Sequence, residues 1–113
     1  MKSLTILVNN QTVFEYDRDM TIEADKLTFL DKMDSDMRRG IKIQGELISD
    51  PDTQQRAKFV VMNLIKALQQ DNQAVIQASC AYLVHRLPDL VEVQVNDVGS
   101  KLDIELVDEG LKK

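Results

Sequence analysis

Asn72-Gln-Ala-Val-Ile-Gln-Ala-Ser-Cys-Ala-Tyr-Leu-Val84 carries no charged side chain, in a chain where 29% of residues are charged. Its apolar spacing reads as a helix. Asp71 or Asn72 can cap the start, and Leu87-Pro88 marks the end, because a proline ring disfavours helical geometry at the residue before it. At about 100° per residue, Ile76, Cys80, Leu83 and Leu87 form one apolar stripe. Ala74, Ala78 and Ala81 form a second on another side, flanked by Val75 and Tyr82. A helix apolar on most sides is one surrounded by other structure. Residues 73–87 are therefore expected to be the central element, with the alanine stripe in close contact with a neighbour.

Outward from that helix, residues 51–70 read as a second one, with Asp50 as N-cap and Pro51 at the first helical position. Ala57, Val60, Val61, Leu64 and Leu68 make its main stripe, while Phe59 and Met62 lie on roughly the opposite side. The turn at Gln70-Asp71-Asn72 is short, so the two helices should run antiparallel. Towards the C-terminus, a hairpin around Asp97-Val98-Gly99-Ser100 pairs Val95 with Leu102, Val93 with Ile104 and Val91 with Leu106. The same register sets Glu92 against Glu105 and Gln94 against Asp103. Gly110 to Lys113 reads as a frayed tail.

Towards the N-terminus, residues 41–48 alternate and then pass through Gly45, as one extended segment. A helix is expected from Thr21 to Arg39. Glu23 and Asp25 stand near its start, Arg38 and Arg39 at its end, and Gly40 beyond. Ile22, Phe29, Leu30, Met33 and Met37 share one side of it. Residues 3–8 and 12–16 form a first hairpin around Asn9-Asn10-Gln11. A three-residue loop pairs Ile6 with Phe14 and Leu4 with Tyr16. A two-residue loop at Asn9-Asn10 would set Leu4 against Glu15, so the apolar face favours the first.

The expected fold is α+β: an antiparallel sheet built from the N- and C-terminal β-hairpins, packed against about three α-helices. With 113 residues the chain reads as a single domain, 1–113. A net charge of −5 argues against a nucleic-acid partner, since backbone contacts need clustered Lys and Arg. The one cysteine allows no internal disulfide, and no apolar run reaches the ~20 residues of a membrane span. A cytoplasmic protein without a membrane partner is expected.

The candidate chemistry is sparse. Cys80 and His85 stand five residues apart on one helix, about 140° apart in projection, so they cannot form a dyad. Cys80 reads as a core residue, and His85 with Arg86 as last-turn cations. Asp34-Ser-Asp36-Met-Arg-Arg-Gly40 imitates a calcium loop, but Arg38 stands where a ligand belongs and Gly45 where the terminal glutamate should be. Asp31, Asp34 and Asp36 read as a solvated helix face. No catalytic residue, cofactor-binding residue or metal ligand is assigned, and no cofactor is expected.

The runs Phe29-Leu-Asp-Lys-Met-Asp-Ser-Asp-Met37, Gln55-Arg-Ala-Lys-Phe59 and Ser79-Cys-Ala-Tyr-Leu-Val-His-Arg-Leu-Pro-Asp-Leu90 resemble small uncharacterised bacterial proteins. That resemblance carries no activity. The expected function is a non-enzymatic protein-interaction module, a small adaptor or subunit acting as a homo-oligomer, a dimer, or with a protein partner. Phe59 and Met62, turned away from the main stripe, are the candidate interface. The alternative is a small-molecule binding domain with an apolar pocket between helices and sheet, where Met20, Met33, Met37 and Met62 would supply adaptable walls. A carboxylate enzyme using a divalent ion comes third.

Overall fold

A computed structural model describes residues 3–17, 24–43, 45–99 and 101–108. Among these residues the fold is α+β, with three helices, a four-stranded sheet and a two-stranded one. The chain forms two compact units, one from its two ends (up to residue 20 and from residue 84) and one from residues 21–83.

The first unit holds the four-stranded sheet. β1 (Ser3–Val8) and β2 (Gln11–Asp17) make the N-terminal hairpin, and β5 (Leu90–Val98) and β6 (Lys101–Asp108) the C-terminal one. The strand order is β2-β1-β5-β6, so both hairpins share one sheet, as the apolar patterns require. Each hairpin is antiparallel, and the seam between them, β1 with β5, is parallel. The registers build one apolar row across all four strands: Phe14, Ile6, Val93 and Leu106 are successive neighbours. Leu4, Ile6, Val93 and Val95 on that face are buried. Asn9 extends the seam past Val8. Its N–H donates to the Val95 carbonyl (2.8 Å), and its Oδ1 accepts from the Asp97 N–H (2.9 Å).

Both hairpins depart from expectation in their turns. In the first, Asn9 and Asn10 both have positive φ (52° and 68°), the signature of a two-residue I′ turn. The register nevertheless pairs Ile6 with Phe14 and Leu4 with Tyr16, because it shifts after Leu7↔Thr12 and leaves Val13 unpaired. A β-bulge thus reconciles the tight turn with the apolar face. The second hairpin turns at Gly99 (φ 69°), so Val98 pairs with Lys101, Val95 with Ile104 and Val93 with Leu106. That is a slip of two residues from the expected register. A slip of two keeps every side chain on its face and removes the Glu92–Glu105 opposition. Glu92 now lies between Thr5 and Val107, and its Oε2 accepts from Gln94 Nε2 at 2.6 Å.

The second unit contains α1 (Ala24–Arg38), a small hairpin of β3 (Ile41–Ile43) and β4 (Glu46–Ile48), α2 (Thr53–Gln70) and α3 (Gln73–Arg86) through Leu83. The expected Thr21–Glu23 start of α1, Met20 and the Gly110–Lys113 tail lie outside the described residues. Residues 41–48 are two strands rather than one segment, since Gly45 (φ 88°) reverses the chain and pairs Ile41 with Ile48. α2 begins two residues later than expected. Asp52, not Asp50, is its N-cap, in a capping box: Asp52 Oδ1 accepts from the Gln55 N–H (2.8 Å) and Gln55 Oε1 from the Asp52 N–H (2.9 Å). Asp50 instead takes a left-handed conformation, and Pro51 is buried just ahead of the cap. Ala57, Val60, Val61 and Leu64 are buried as the stripe predicts.

Between α2 and α3 each residue of the link has its own task. Asp71, in the left-handed conformation (φ 54°), closes α2: the Asn72 N–H donates to the Ala67 carbonyl at 2.9 Å and the Asp71 N–H to Leu68 at 3.4 Å. Asn72 then caps α3, its Oδ1 accepting from the Val75 N–H at 3.4 Å.

Candidate functional site

The opening expectation for α3 holds for only part of its length. Ile76 and Ser79 to Leu83 are buried, but Ala74 and Val75 are exposed and Ala78 is half-buried. The first two turns of the alanine side therefore line an open groove rather than a helix contact. Its volume is about 450 Å³ and its lining is largely apolar. α1 supplies Phe29 and Met33, one turn apart. α2 supplies Val60, Asn63, Ala67 and Gln70, with spacings of three and four that put them on one face, and Lys66 beside them. Asn72, Ala74, Val75, Ala78 and Ser79 complete it from α3 and the link.

Two walls of this groove expose large apolar surface. Phe29 is 50% exposed and Val75 37%. Val13, at the bulge, and Leu47, on β4, are the other large exposed apolar side chains among the described residues. Phe59 and Met62, the expected interface, are both half-buried. Of the methionines expected to line a pocket, Met33 does so, Met37 is buried and Met62 is half-buried.

About one turn further along each helix the character reverses. Asp34 on α1 accepts a hydrogen bond from the buried Tyr82 hydroxyl of α3. The same Oδ1 receives Arg56 Nη1 of α2 at 3.3 Å. One carboxylate thus ties three helices together. The expectation of a solvated acidic face fails at Asp34, which is largely buried, and holds for Asp31 and Asp36, which are exposed. Sequence spacing could not have found this node, because its three members lie on three different helices.

Cys80 is fully buried, and burial pushes its thiol up to about 12, so it holds no thiolate near neutrality. His85 on the same helix is exposed. Among the described residues, no group of three or more His, Cys, Asp or Glu is placed to hold a metal ion. Among them, too, no helix is long and apolar enough to cross a membrane. No protein-family model, curated protein or solved structure matches the chain.

Proposed function

We propose that this protein is a non-enzymatic interaction module, an adaptor or small subunit that seats an apolar segment of a partner protein in the groove of its helical unit. The observation that carries this reading is the exposure of Phe29 and Val75, from two different helices, in the lining of one apolar groove. Exposed aromatic and aliphatic side chains that line a concavity are the usual anchors of protein interfaces. The partner is a protein rather than nucleic acid, consistent with the net charge of −5, and the setting proposed is the cytoplasm.

The test is affinity capture from the native host with wild type and Phe29→Glu as parallel baits. A stoichiometric protein held by wild type and lost from the variant supports the reading. A protein held equally by both moves the contact elsewhere, and Phe59→Glu then asks whether Phe59 and Met62 form it. Sedimentation equilibrium of the same three proteins tests the dimeric version, in which the partner is a second copy.

A second reading rests on the groove's volume, which falls in the range of ~300–1,000 Å³ typical of small-molecule sites. On this reading the ligand sits within the helical unit, against Met33 and Val60. Thermal-shift screening of small apolar compounds tests it. A rise in Tm that Ala78→Leu abolishes would favour the small molecule.

A further inference from the structure

We propose that the occupant of the groove is an acidic amphipathic helix, with apolar residues seated between Phe29 and Val75 and a carboxylate on the Lys66 ammonium. This rests on the interaction reading above and names the partner's chemistry.

Charge is unevenly distributed along this chain. The whole carries −5, yet α2 holds Arg56, Lys58 and Lys66 and no acidic residue, and α3 holds no acidic residue at all. Arg56 is already engaged by Asp34. Among the described residues, Lys66 is exposed, is the one charged side chain lining the groove and has no ion-pair partner. Its neighbours one turn away on α2 are Met62, Asn63, Gln69 and Gln70, so no carboxylate on its own helix neutralises it. A partner carboxylate beside the apolar anchors meets an unneutralised cation at the edge of a low-dielectric surface.

The backbone makes the occupant a helix. Away from the α2–α3 junction the groove walls are helical side chains, whose backbone N–H and C=O groups are committed within their own helices. An extended segment would bury its own N–H and C=O groups there without partners, whereas a helix satisfies them internally. From Asn63 to Gln70 the α2 wall rises roughly 10 Å, about two turns, which matches apolar anchors at i, i+4 and i+7. Ala67, Ala74 and Ala78 leave room for the incoming backbone to come close.

The experiment is selection from a displayed library of helices of roughly 16 residues, about four turns, with every position randomised. Wild type, Phe29→Glu, Lys66→Glu and Lys58→Glu serve as targets. Wild type is expected to enrich apolar residues at i, i+4 and i+7 flanked by Asp or Glu. Binding of the enriched peptides should vanish with Phe29→Glu and fall about fivefold with Lys66→Glu, the scale of one exposed ion pair. It should hardly change with Lys58→Glu, and it should weaken from about 50 to 500 mM salt. Thermal unfolding verifies each variant, and Lys66→Gln replaces Lys66→Glu if that one unfolds. Apolar peptides selected without charge preference, lost with Phe29→Glu and indifferent to Lys66, would overturn the acidic partner and leave the groove as a docking site. No enrichment by wild type would overturn both. A wild-type dimer that Phe29→Glu dissociates would give the groove to a second copy and overturn the proposal.

Discussion

The two ends of the helical unit use the same three helices for opposite purposes. At one end Asp34 accepts from both Arg56 and the buried Tyr82 hydroxyl, although the buried Arg56 Nε has no hydrogen-bond partner among the described residues. At the other, one to two turns away, Phe29, Val75 and Ala74 face solvent across a groove. A polar node directs its bonding inward and fastens helices. An apolar groove with exposed walls leaves burial undone, and burial is what a partner can supply. The contrast shows how a small unit can keep a hydrophobic surface open without coming apart, by fastening its helices elsewhere.

The largest effect should come from the closed end's core. Leu83→Ala removes a fully buried side chain next to Tyr82 and should cost ~2–5 kcal/mol in urea unfolding, because little around it can relax. Asp34→Ala comes next, at about 1.5–3 kcal/mol, since it leaves a buried Tyr82 hydroxyl and a largely buried guanidinium without their acceptor. A double-mutant cycle with Tyr82→Phe measures how much of that passes through the hydroxyl. If Asp34→Ala costs no more than an ordinary surface substitution, the node fastens nothing and the contrast collapses.

Alkaline pH sharpens the same comparison. Burial pushes the Cys80 thiol from the 9.0 of an exposed cysteine up to about 12 in the folded chain. A raised folded value means that the native state keeps a proton the unfolded chain gives up. The stabilisation is therefore complete below about pH 9 and lost as pH climbs towards 12. Unfolding free energy should fall by up to about 1.4 kcal/mol per pH unit in that window, and Cys80→Ala should remove that share of the slope.

The smallest effect belongs to the open end. Sequence reasoning places Ala78 in a close helix contact, where Ala78→Leu would overpack by ~1–3 kcal/mol. In the structure Ala78 is half-buried and faces the groove, so the added side chain has space. Chemical unfolding should register a change under about 1 kcal/mol, with groove binding lost. A full overpacking penalty would mean that the groove is closed in solution.

What was legible in the sequence follows from how far each signal reaches. Period-two alternation marked all four strands of the large sheet, and 3.6-residue periodicity marked the three helices, because both are local. The exact pairing was less accessible. Val13 looks like an ordinary strand residue, and only the conflict between the Asn9-Asn10 turn and the Ile6–Phe14 pairing reveals its bulge. In the second hairpin a slip of two leaves every face unchanged, so side-chain pattern alone cannot detect it. The groove was half visible. α3 is apolar on most sides, but whether Ala74 and Val75 are covered depends on where α1 lies, which its own sequence does not encode. Asp34 looks solvent-facing in the sequence because its partners sit 22 and 48 residues away.

The parallel seam also sets an order of events. Asn9 bonds to Asp97 across 88 residues of chain, and β1 finds β5 over a similar separation. Closing a flexible loop of that length costs about 4 kcal/mol in chain entropy. The cost falls if the intervening segment has already collapsed. During synthesis β1 and β2 can pair as a lone hairpin, which is marginal in water, but the seam has no second strand until residues 90–98 are made. Until β5 is made, the β1–β2 hairpin thus keeps one edge of β1 unsatisfied, and that edge is where premature strand pairing with a neighbouring nascent chain would begin.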